Sequence, residues 1–556
     1  MKVKKYFIGT IVVMAIGLAA YSFTHDQKNF EIAKNLDIYY TLFRELNTFY
    51  VDEVNPNKLV KTSIDKMLES LDPYTNYITE NEIEDLRFMT TGEYAGIGAL
   101  ITKHRDNIII SEPYEGFPAH KFGLKAGDII LEVEGKPTSK MNTEDVSELL
   151  KGPPMKPVKL KIKRPTDNKT FDVDVVREKI TIEAVPYYTM LDDKTAYIRF
   201  SNFTQNCGEE VKKSYMELKQ SNPESLILDL RSNPGGLLHE AVDIMNLFVP
   251  KGTEIVSVKG KIKEMENTYT ATKEPIDTTV RIVVLTNRAS ASASEIVAGA
   301  MQDLDRGLVI GTRTFGKGLV QTTRDLTYNA KLKITTAKYY VPSGRCIQAL
   351  DYSNRNEDGS VRTVPDSLIS KFTTKNGRIV YDGGGVVPDI NVSIDTMSLL
   401  GTELITRFYI FDFANNFAAK NATIAQPENF VVTDDIYAEF AKFVKDSDFK
   451  YDSQTERSLE GLMRTAKLEK YFELAAKEFE ALEAKLRPDL EKDLKLFKSE
   501  ISELLRDEII IRYYFQKGAI KASLHDDENI KKAVQLLADP NQYMSYFKSG
   551  MEIKPN

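Results

Sequence analysis

The segment between residues 282 and 301 restricts the fold more than any other part of the chain. It opens with an apolar run, Ile282-Val283-Val284-Leu285, that is typical of a buried strand. Small side chains follow, including Ser290, Ser292 and Ser294, and a helical pattern then begins. A strand, a tight turn of small residues and a helix start together display a nucleophile beside free backbone N–H groups. This order of residues therefore predicts a hydroxyl nucleophile at the turn.

A hydroxyl at pH 7 needs a base, and histidine is scarce in this chain. Only five His occur, and none lies within residues 287–321. Lys317 stands between two glycines in apolar surroundings. A lysine shielded from water has a lowered pKa and can accept a proton. We therefore predict a Ser–Lys pair, with Gln321 orienting the amine.

A second glycine turn lies upstream of the nucleophile segment. A predicted strand over 225–230 is followed by Asn233-Pro234-Gly235-Gly236 and by a helix over 237–248. A glycine turn between a strand and a helix start favours anion binding. The absence of Gly-Lys-Ser/Thr after it excludes a nucleotide-binding P-loop. His239, just past this turn, is the alternative base to Lys317.

Length and charge limit the class of protein. The chain has 556 residues, which predicts several domains, and its net charge of −7 comes without a basic arm or stripe. Nucleic-acid binding is therefore not expected.

The N-terminus carries a targeting signal. Lys2, Lys4 and Lys5 precede an apolar run that extends to Phe23. Cations followed by such a run indicate a secretory signal or an uncleaved membrane anchor. We favour a single-pass anchor in the inner membrane, with the bulk of the chain on the periplasmic side of the cell envelope; secretion after cleavage is the alternative.

Two motifs carry a resemblance to a known family. Ser-Ala-Ser-Ala-Ser-Glu, followed by Phe-Gly-Lys-Gly-x-x-Gln, resembles the carboxyl-terminal processing peptidases, the tail-specific proteases of bacteria and plastids. The family's base lies twenty-five positions after its nucleophile, and its supporting Gln lies four positions later. The resemblance therefore implies Ser292 as nucleophile, Lys317 as base and Gln321 as support, without metal or cofactor. Ser294 is then expected to cap the helix, with Glu295 in its first turn.

The same family resemblance assigns the glycine turn. Asp-Leu-Arg-Ser-Asn-Pro-Gly-Gly resembles the family's Asp-x-Arg-x-Asn-Pro-Gly-Gly segment. It implies that backbone N–H groups of Gly235 or Gly236, together with that of Ala293, hold the oxyanion. A later segment, residues 339–348, resembles another family motif, in which Arg345 is expected to hold the frame of the site.

Residues 85–178 resemble a PDZ domain. Gly96-Ile97-Gly98-Ala99 matches the carboxylate-binding loop, and residues 118–135 match the short helix and following strand. Such a loop exposes several N–H groups to one peptide carboxylate, and the adjoining strand pairs with the peptide. Val146 and Leu150, on a second helix, are expected to flank the peptide groove. Lys151 replaces the family's Arg after this helix, so the detail of PDZ gating stays open.

The sequence therefore predicts a multidomain α/β chain with mostly helical ends. The predicted divisions are a signal or membrane anchor (1–24), a helical N-terminal region (25–84), a PDZ domain built as a β-sandwich or barrel with two helices (85–178), an α/β Ser/Lys peptidase core of the crotonase or Clp type (179–400) and a helical C-terminal domain (401–556). Arg487-Pro488-Asp489 is expected to interrupt the last of these. Residues 401–556 are interpreted as a bundle packed on the core or a homodimer contact. Cys207 and Cys346 are interpreted as a disulfide or as two free thiols.

The predicted function is that of a serine endopeptidase. Its substrates would be exported proteins or unfolded chains, recognised by their C-terminal ends through the PDZ domain. One alternative is a PDZ scaffold that binds tails without cutting them, which the intact Ser292, Lys317 and Gln321 disfavour. The other is a crotonase-type acyl-thioester enzyme, which the PDZ signature disfavours.

Overall fold

The computed structural model describes residues 29–356, 358–392, 396–451 and 453–554. The predicted anchor at 1–24 lies outside these residues. Within the described ranges, no helix combines the length and the apolar character needed to cross a membrane. Contacts divide the described residues into two units: one comprises those up to residue 77 together with 323–334, and the other comprises residues 78–322 together with those from 335 onward.

The first unit begins with two helices, as predicted for the N-terminal region. Helix α1 covers residues 29–49, and α2 covers Pro56–Glu69. The side chain of Asn55 accepts a hydrogen bond from the Lys58 N–H at 3.1 Å and so caps α2. Pro56 occupies the first turn, where its missing N–H costs nothing. Strand β1 follows at Asn76–Ile78.

The PDZ domain is a five-stranded antiparallel sheet with an added short strand. Its strand order is β3-β4-β5-β7-β8, so β3 lies at one end of the described sheet. Buried Ile108, Ile110, Leu160 and Ile162 fill its core. The elements of this region are α3 (Ile83–Thr91), β2 (Glu93–Gly96), β3 (Ala99–His104), β4 (Asn107–Pro113), α4 (Pro118–Lys121), β5 (Ile129–Val133), β6 (Lys136–Pro137), α5 (Thr143–Leu150), β7 (Pro157–Arg164), β8 (Lys169–Val176) and β9 (Glu178–Thr181).

The predicted peptidase core is built on a six-stranded sheet in the order β10-β11-β12-β15-β16-β23. Strand β10 is antiparallel to β11, and the remaining neighbours are parallel. Helices α6 and α8 each connect neighbouring parallel strands, as expected of β-α-β units. The elements are β10 (Tyr187–Met190), β11 (Thr195–Arg199), α6 (Cys207–Leu218), β12 (Ser225–Asp229), α7 (Leu238–Asn246), β13 (Glu254–Gly260), β14 (Asn267–Thr270), β15 (Arg281–Thr286), α8 (Ala293–Asp303), β16 (Gly307–Gly311), β17 (Leu319–Asp325), β18 (Lys331–Tyr340), β19 (Leu350–Arg355), β20 (Val361–Thr363), β21 (Lys371–Thr373), β22 (Ile379–Tyr381) and β23 (Ile390–Asn391).

The C-terminal helices complete this sheet. A parallel sheet needs apolar cover on both faces. On one face, the cluster that includes Val284 and Ile296 gathers α6, α7 and α8; on the other, Val283 and Leu308 pack with Leu536 of α16 and with α17. The helices are α9 (Leu399–Thr406), α10 (Tyr409–Lys420), α11 (Asp434–Asp446), α12 (Gln454–Leu468), α13 (Ala476–Leu486), α14 (Leu490–Leu496), α15 (Lys498–Ser523), α16 (Glu528–Ala538) and α17 (Pro540–Ser545).

These helices settle part of what the sequence left open. The chain beyond 400 is a bundle whose end packs on the core sheet, and the helical pattern does break between α13 and α14, at residues 487–489. The Tyr543 hydroxyl hydrogen-bonds both the N–H and the carbonyl of Ile282 in β15. Cys207 and Cys346 are both free thiols.

Two buried arginines fix the C-terminal end of α8. Arg345 pairs with Asp303 at 2.8 Å, both side chains being almost wholly buried. Arg378, fully buried, pairs with Asp305 and Asp389 and donates to the Gln302 carbonyl at 2.7 Å. Cations at this end also favour the helix dipole. The helix that follows the nucleophile turn is therefore held rigidly at its far end.

We expect Arg378→Met to lower the free energy of unfolding by about 3–5 kcal/mol, because two buried carboxylates lose their partner. Chemical denaturation followed by circular dichroism measures the loss. The exposed Arg362 supplies the control; Arg362→Met should change stability by less than about 0.5 kcal/mol. Equal effects of the two substitutions would show that the buried pairs do not hold the core.

Candidate active site

Three loops meet at one edge of the parallel sheet. They follow β12, β15 and β16, which are neighbours, and they cover residues 230–237, 287–292 and 312–318. The carboxyl ends of parallel strands share an edge, where α/β sheets bind ligands. The Ala291 N–H donates to the Asn233 carbonyl, and the Phe315 N–H donates to the Ser290 carbonyl, each at 3.0 Å. The turns that carry the predicted site residues are therefore joined directly.

Ser292 differs from its neighbouring serines in conformation and in bonding. Its φ of 55° and ψ of −114° are strained for a residue with a side chain. The Ser290 hydroxyl donates to the Leu230 carbonyl at 2.8 Å, and the Ser294 hydroxyl donates to the Asn233 carbonyl at 2.9 Å. Ser290 and Ser294 are fully buried and hold the turn together, whereas Ser292 is half-buried. Ser292 is therefore distinguished from the other two serines by its strained backbone and by its partial exposure.

The predicted capping role of Ser294 is wrong. Helix α8 begins at Ala293, so Ser292 occupies the cap position and Ser294 lies within the first turn. The Ser294 side chain instead joins this turn to the Asn233 loop. The placement of Glu295 in the first turn is confirmed.

Glu295 joins the nucleophile turn to the lysine loop. Its side chain is fully buried, and its Oε1 accepts hydrogen bonds from the Thr314 hydroxyl and the Gly316 N–H, both at 2.6 Å. Its Oε2 accepts from the Ser292 N–H at 2.8 Å and from the Lys317 N–H at 2.9 Å. The backbone nitrogens of the two candidate catalytic residues therefore share one carboxylate oxygen.

The electrostatics of Glu295 reflect two opposing effects. Burial raises the pKa of Glu295 from 4.5 to about 7, while its four hydrogen bonds oppose the rise. The four hydrogen bonds favour the ionised form, since a protonated carboxyl must itself donate one. This role could not be predicted from the sequence, which indicated only that Glu295 lies in a first helical turn.

Lys317 lies in a loop that is fixed on both sides. The Gly318 N–H donates to the side chain of Gln348 at 2.7 Å, and the Ala349 N–H donates to the Gly316 carbonyl at 2.9 Å. The Lys317 side chain is half-buried. Gln321 lies four residues on, in β17, where its amide donates to the Thr335 hydroxyl at 3.1 Å. The segment 339–348 thus supports the lysine loop.

The candidate oxyanion donors are not equivalent. The Gly235 N–H already donates to the Asn233 side chain at 2.9 Å. Gly235 has a φ of 92°, and a Cβ there would lie 2.8 Å from the Ala293 nitrogen, so only glycine permits this approach. Among the described residues, the N–H groups of Gly236 and Ala293 have no hydrogen-bond acceptor. Of the predicted donors, Gly236 and Ala293 are the pair that remains available.

The alternative base, His239, is largely exposed to solvent. Its side chain is 61% exposed, and its Nε2 lies 3.6 Å from Glu240 Oε1. Among the described residues, no hydrogen bond joins His239 to the nucleophile turn.

The predicted peptide-binding loop lies beside the edge strand of the PDZ sheet. Gly96 ends β2, Ile97 and Gly98 form the turn, and Ala99 begins β3. Since β3 ends the described sheet, its free edge can pair with an extended peptide.

The predicted groove positions on α5 lie in the core of the domain. Val146 and Leu150 are buried in the domain core, at 0% and 5% exposure. Four-residue spacing puts both on the core face of the helix. The half-buried Thr143 and Ser147 lie on an adjacent face of the helix.

A guanidinium, that of Arg177, lies at the end of α5, beside the position where Lys151 replaces the family's Arg. Lys151 pairs with the exposed Asp85. Arg177 donates to the Leu149 and Leu150 carbonyls at 2.8 and 3.0 Å, at the C-terminal end of α5. Because Arg177 lies far from α5 along the chain, the sequence did not predict this contact.

Comparison with known proteins finds matches for three parts of the chain: the core, the PDZ domain and the C-terminal helices. The description "Peptidase family S41" fits residues 194–353, "PDZ domain" fits 109–164, and "Probable PDZ-protease, C-terminal helical domain" fits 400–537. The fold and these matches define a PDZ-containing serine-type peptidase.

Full-length relatives make the assignment more specific. A "Carboxy-terminal-processing protease" of Bartonella bacilliformis is 35% identical over 349 residues, which is 62% of this chain and 78% of the relative. A "Probable CtpA-like serine protease" of Staphylococcus aureus is 35% identical over 347 residues, 61% of this chain and 69% of the relative. The solved "Photosystem II D1 C-terminal processing protease" is 28% identical, covering 65% of this chain and 93% of that one, with a TM-score of 0.36. The chain belongs to the carboxy-terminal-processing protease family, and the predicted resemblance is confirmed.

We expect Glu295→Gln to lower kcat by about 10- to 100-fold, because an amide cannot accept all four donors and the two turns shift apart. KM should change little, since the PDZ domain is unaltered. Glu210 provides a control, because its carboxylate also accepts backbone N–H groups, from Ala184 and Val185, far along the chain from the turn. Cleavage kinetics of Glu295→Gln equal to those of Glu210→Gln would contradict the positioning role.

The pKa of Glu295 also predicts a pH dependence of stability. Because the folded-state pKa is raised, the folded chain holds a proton that the unfolded chain releases. The resulting stabilisation is complete below about pH 4.5 and is lost as the pH rises through about 7. Denaturation measured from pH 4 to pH 8 should show that, as the pH rises, wild type loses unfolding free energy relative to Glu295→Gln. A difference independent of pH would contradict the raised pKa.

Proposed function

We propose that the protein is an endopeptidase that cleaves with Ser292 as nucleophile and Lys317 as base. The observation that carries this proposal is the shared Glu295 oxygen, which accepts the backbone N–H groups of both residues. A single buried carboxylate then sets the relative position of the two turns. Precise placement of reacting groups is a large part of enzymatic rate enhancement.

The proposed reaction balances without a metal or cofactor. The Ser292 oxygen attacks the scissile carbonyl carbon while its proton passes to the neutral Lys317 amine. The N–H groups of Gly236 and Ala293 stabilise the oxyanion, and each such donor contributes about 10²- to 10³-fold in rate. The lysine then gives its proton to the leaving amine as the C–N bond breaks. Water, deprotonated by the same amine, releases the acyl group, and Gln321 orients the amine throughout.

The proposed substrates are protein chains recognised by their C-terminal ends. The loop from Gly96 to Ala99 would bind the terminal carboxylate, and the free edge of β3 would pair with the tail. We further propose that the chain acts on exported proteins at the periplasmic side of the cell envelope, tethered by residues 1–24. The support for this location is the cationic and apolar N-terminal sequence.

Two other functions are less well supported. A scaffold that binds without cutting would not need Ser292 in a strained conformation. It would also not need the Lys317 loop to be hydrogen-bonded to Glu295 of the same turn. An acyl-thioester activity would not explain why the chain belongs to a peptidase family. Separate incubations with an acyl-CoA and with a protein substrate such as casein distinguish the three functions. An endopeptidase cleaves casein, an acyl-thioester enzyme converts the acyl-CoA, and a scaffold does neither.

We expect Ser292→Ala and Lys317→Ala each to abolish peptide cleavage while peptide binding is retained, because neither residue belongs to the PDZ domain. The measurement compares cleavage of peptides that differ only in a free or amidated C-terminus. Ser294→Ala is the matched control; it removes a buried hydrogen bond but should leave cleavage measurable. Retained cleavage by Lys317→Ala would overturn the dyad and move the base to His239.

A further inference from the structure

Tyr339 lies between the nucleophile turn and the lysine loop. It is the penultimate residue of β18, and it is almost wholly buried. Its hydroxyl donates a hydrogen bond to the Ser292 carbonyl at 3.1 Å, and its backbone N–H donates to the Gly318 carbonyl at 2.9 Å. One buried residue therefore contacts both segments that carry the proposed chemistry.

The packing around Tyr339 fixes its position. Within the sheet it pairs with Val258 of β13. Just past the end of β18, Val341 packs against α8, where a Cβ on Gly299 would lie 2.9 Å from Cγ1 of Val341. Glycine at position 299 thus permits the end of the strand to approach the helix closely. The phenol is therefore held beside the start of α8, where Ser292 is the cap residue.

The Ser292 carbonyl and the Ala293 N–H belong to the same peptide group. A peptide group is planar and trans, so its C=O and N–H bonds point in opposite directions from one rigid plane. The carbonyl accepts from the N–H groups of Glu295 and Ile296, at 2.8 and 3.0 Å, in addition to the Tyr339 hydroxyl. The donors on this carbonyl therefore fix the direction in which the Ala293 N–H points.

We propose that Tyr339 is a positioning residue for the oxyanion site, which consists of the N–H groups of Gly236 and Ala293. Its hydroxyl orients and polarises the peptide group that presents the Ala293 N–H to the reacting carbonyl. Tyr339 acts through this peptide group and not by contact with the substrate. The inference rests on the proposed function, in which Ser292 is the nucleophile and Ala293 is an oxyanion donor.

The backbone of Ser292 shows why this peptide group needs support from another element. Its φ of 55° and ψ of −114° lie in a sparsely populated region. Rotation about ψ would move the residue out of that region, and it would also redirect the Ala293 N–H. A hydrogen bond from β18 to the Ser292 carbonyl opposes the rotation, because the bond would be lost.

The Tyr339 hydrogen bond acts on the chemical step and not on substrate binding. At 3.1 Å it is longer than most bonds from a hydroxyl to an oxygen, which measure about 2.7–2.8 Å. When negative charge develops on the substrate oxygen, the Ala293 N–H becomes polarised and the Ser292 carbonyl becomes a stronger acceptor. Hydrogen bonds in such a chain strengthen one another by about 10–30% each. An interaction that is stronger in the transition state than in the substrate complex raises kcat.

The test removes the hydroxyl and keeps the ring. In the full-length protein, Tyr339→Phe retains the backbone bond to Gly318 and the helix donors on the Ser292 carbonyl. The maximum acylation rate with a p-nitrophenyl ester should fall about two- to tenfold, the range for one net hydrogen bond. The ester concentration that gives half of this rate should stay unchanged.

A second readout examines the oxyanion site directly. A peptide aldehyde forms a tetrahedral adduct with the nucleophile and places an oxygen at the oxyanion site, whereas the matching peptide alcohol forms no adduct. Tyr339→Phe should bind the aldehyde more weakly, by a factor similar to its loss in acylation rate. The alcohol should bind equally to Tyr339→Phe and to wild type.

Tyr215 provides the matched control. It lies in the same apolar cluster of the core, it is fully buried, and its hydroxyl donates to Asp277 at 3.0 Å. Tyr215→Phe therefore also loses a buried hydroxyl and its hydrogen bond, but outside the nucleophile turn. We expect this variant to acylate and to bind the aldehyde as wild type does. Chemical denaturation of both variants measures the accompanying loss of stability, and acylation that falls in proportion to that loss in both would overturn the proposal.

The outcomes separate this inference from the proposed function. If Ser292→Ala still acylates, the proposed nucleophile is wrong and the inference fails with it. If Ser292→Ala is inactive while Tyr339→Phe acylates and binds the aldehyde as wild type does, the proposed function stands and the role of Tyr339 is wrong. Equal losses of affinity for the aldehyde and the alcohol would also overturn that role, by showing that the substitution disturbs the substrate site and not the oxyanion donor.

Discussion

The active site depends on one buried carboxylate that accepts four hydrogen bonds from two different turns. Glu295 accepts the N–H groups of Ser292, Gly316 and Lys317 and the hydroxyl of Thr314. Burying a carboxylate is costly unless its oxygens are satisfied, and here every donor comes from the segments that carry the proposed chemistry. The interaction that offsets the cost of burial is therefore the same one that sets the geometry of the site.

The rest of the core keeps the helix of Glu295 from moving. Helix α8 is buried along its whole length, and Arg345 and Arg378 bind its C-terminal end. The sheet that carries the three loops is covered on its second face by α16 and α17. The last helices of the C-terminal region thus belong to the structure that supports the site.

The sequence predicted the architecture and the identity of the chemical groups, but not their hydrogen-bond partners. The strand–turn–helix at 282–301, the PDZ loop at Gly96 and the helical ends were readable because each has a local periodicity or a glycine pattern. The availability of the Gly235 N–H was not readable, since it depends on the side-chain orientation of Asn233. The core-facing orientation of Val146 and the role of Arg177 depend on packing between segments that are far apart in the chain.

The most direct test of the central claim is a double-mutant cycle between Glu295→Gln and Lys317→Ala. The measured quantity is the acylation rate with a p-nitrophenyl ester, whose leaving group needs no proton and keeps slow variants measurable. If Glu295 acts by positioning Lys317, the double variant should acylate no more slowly than Lys317→Ala alone, because the effects of coupled residues are not additive. Losses that multiply in the double variant would contradict the account, by showing that the carboxylate and the lysine act independently.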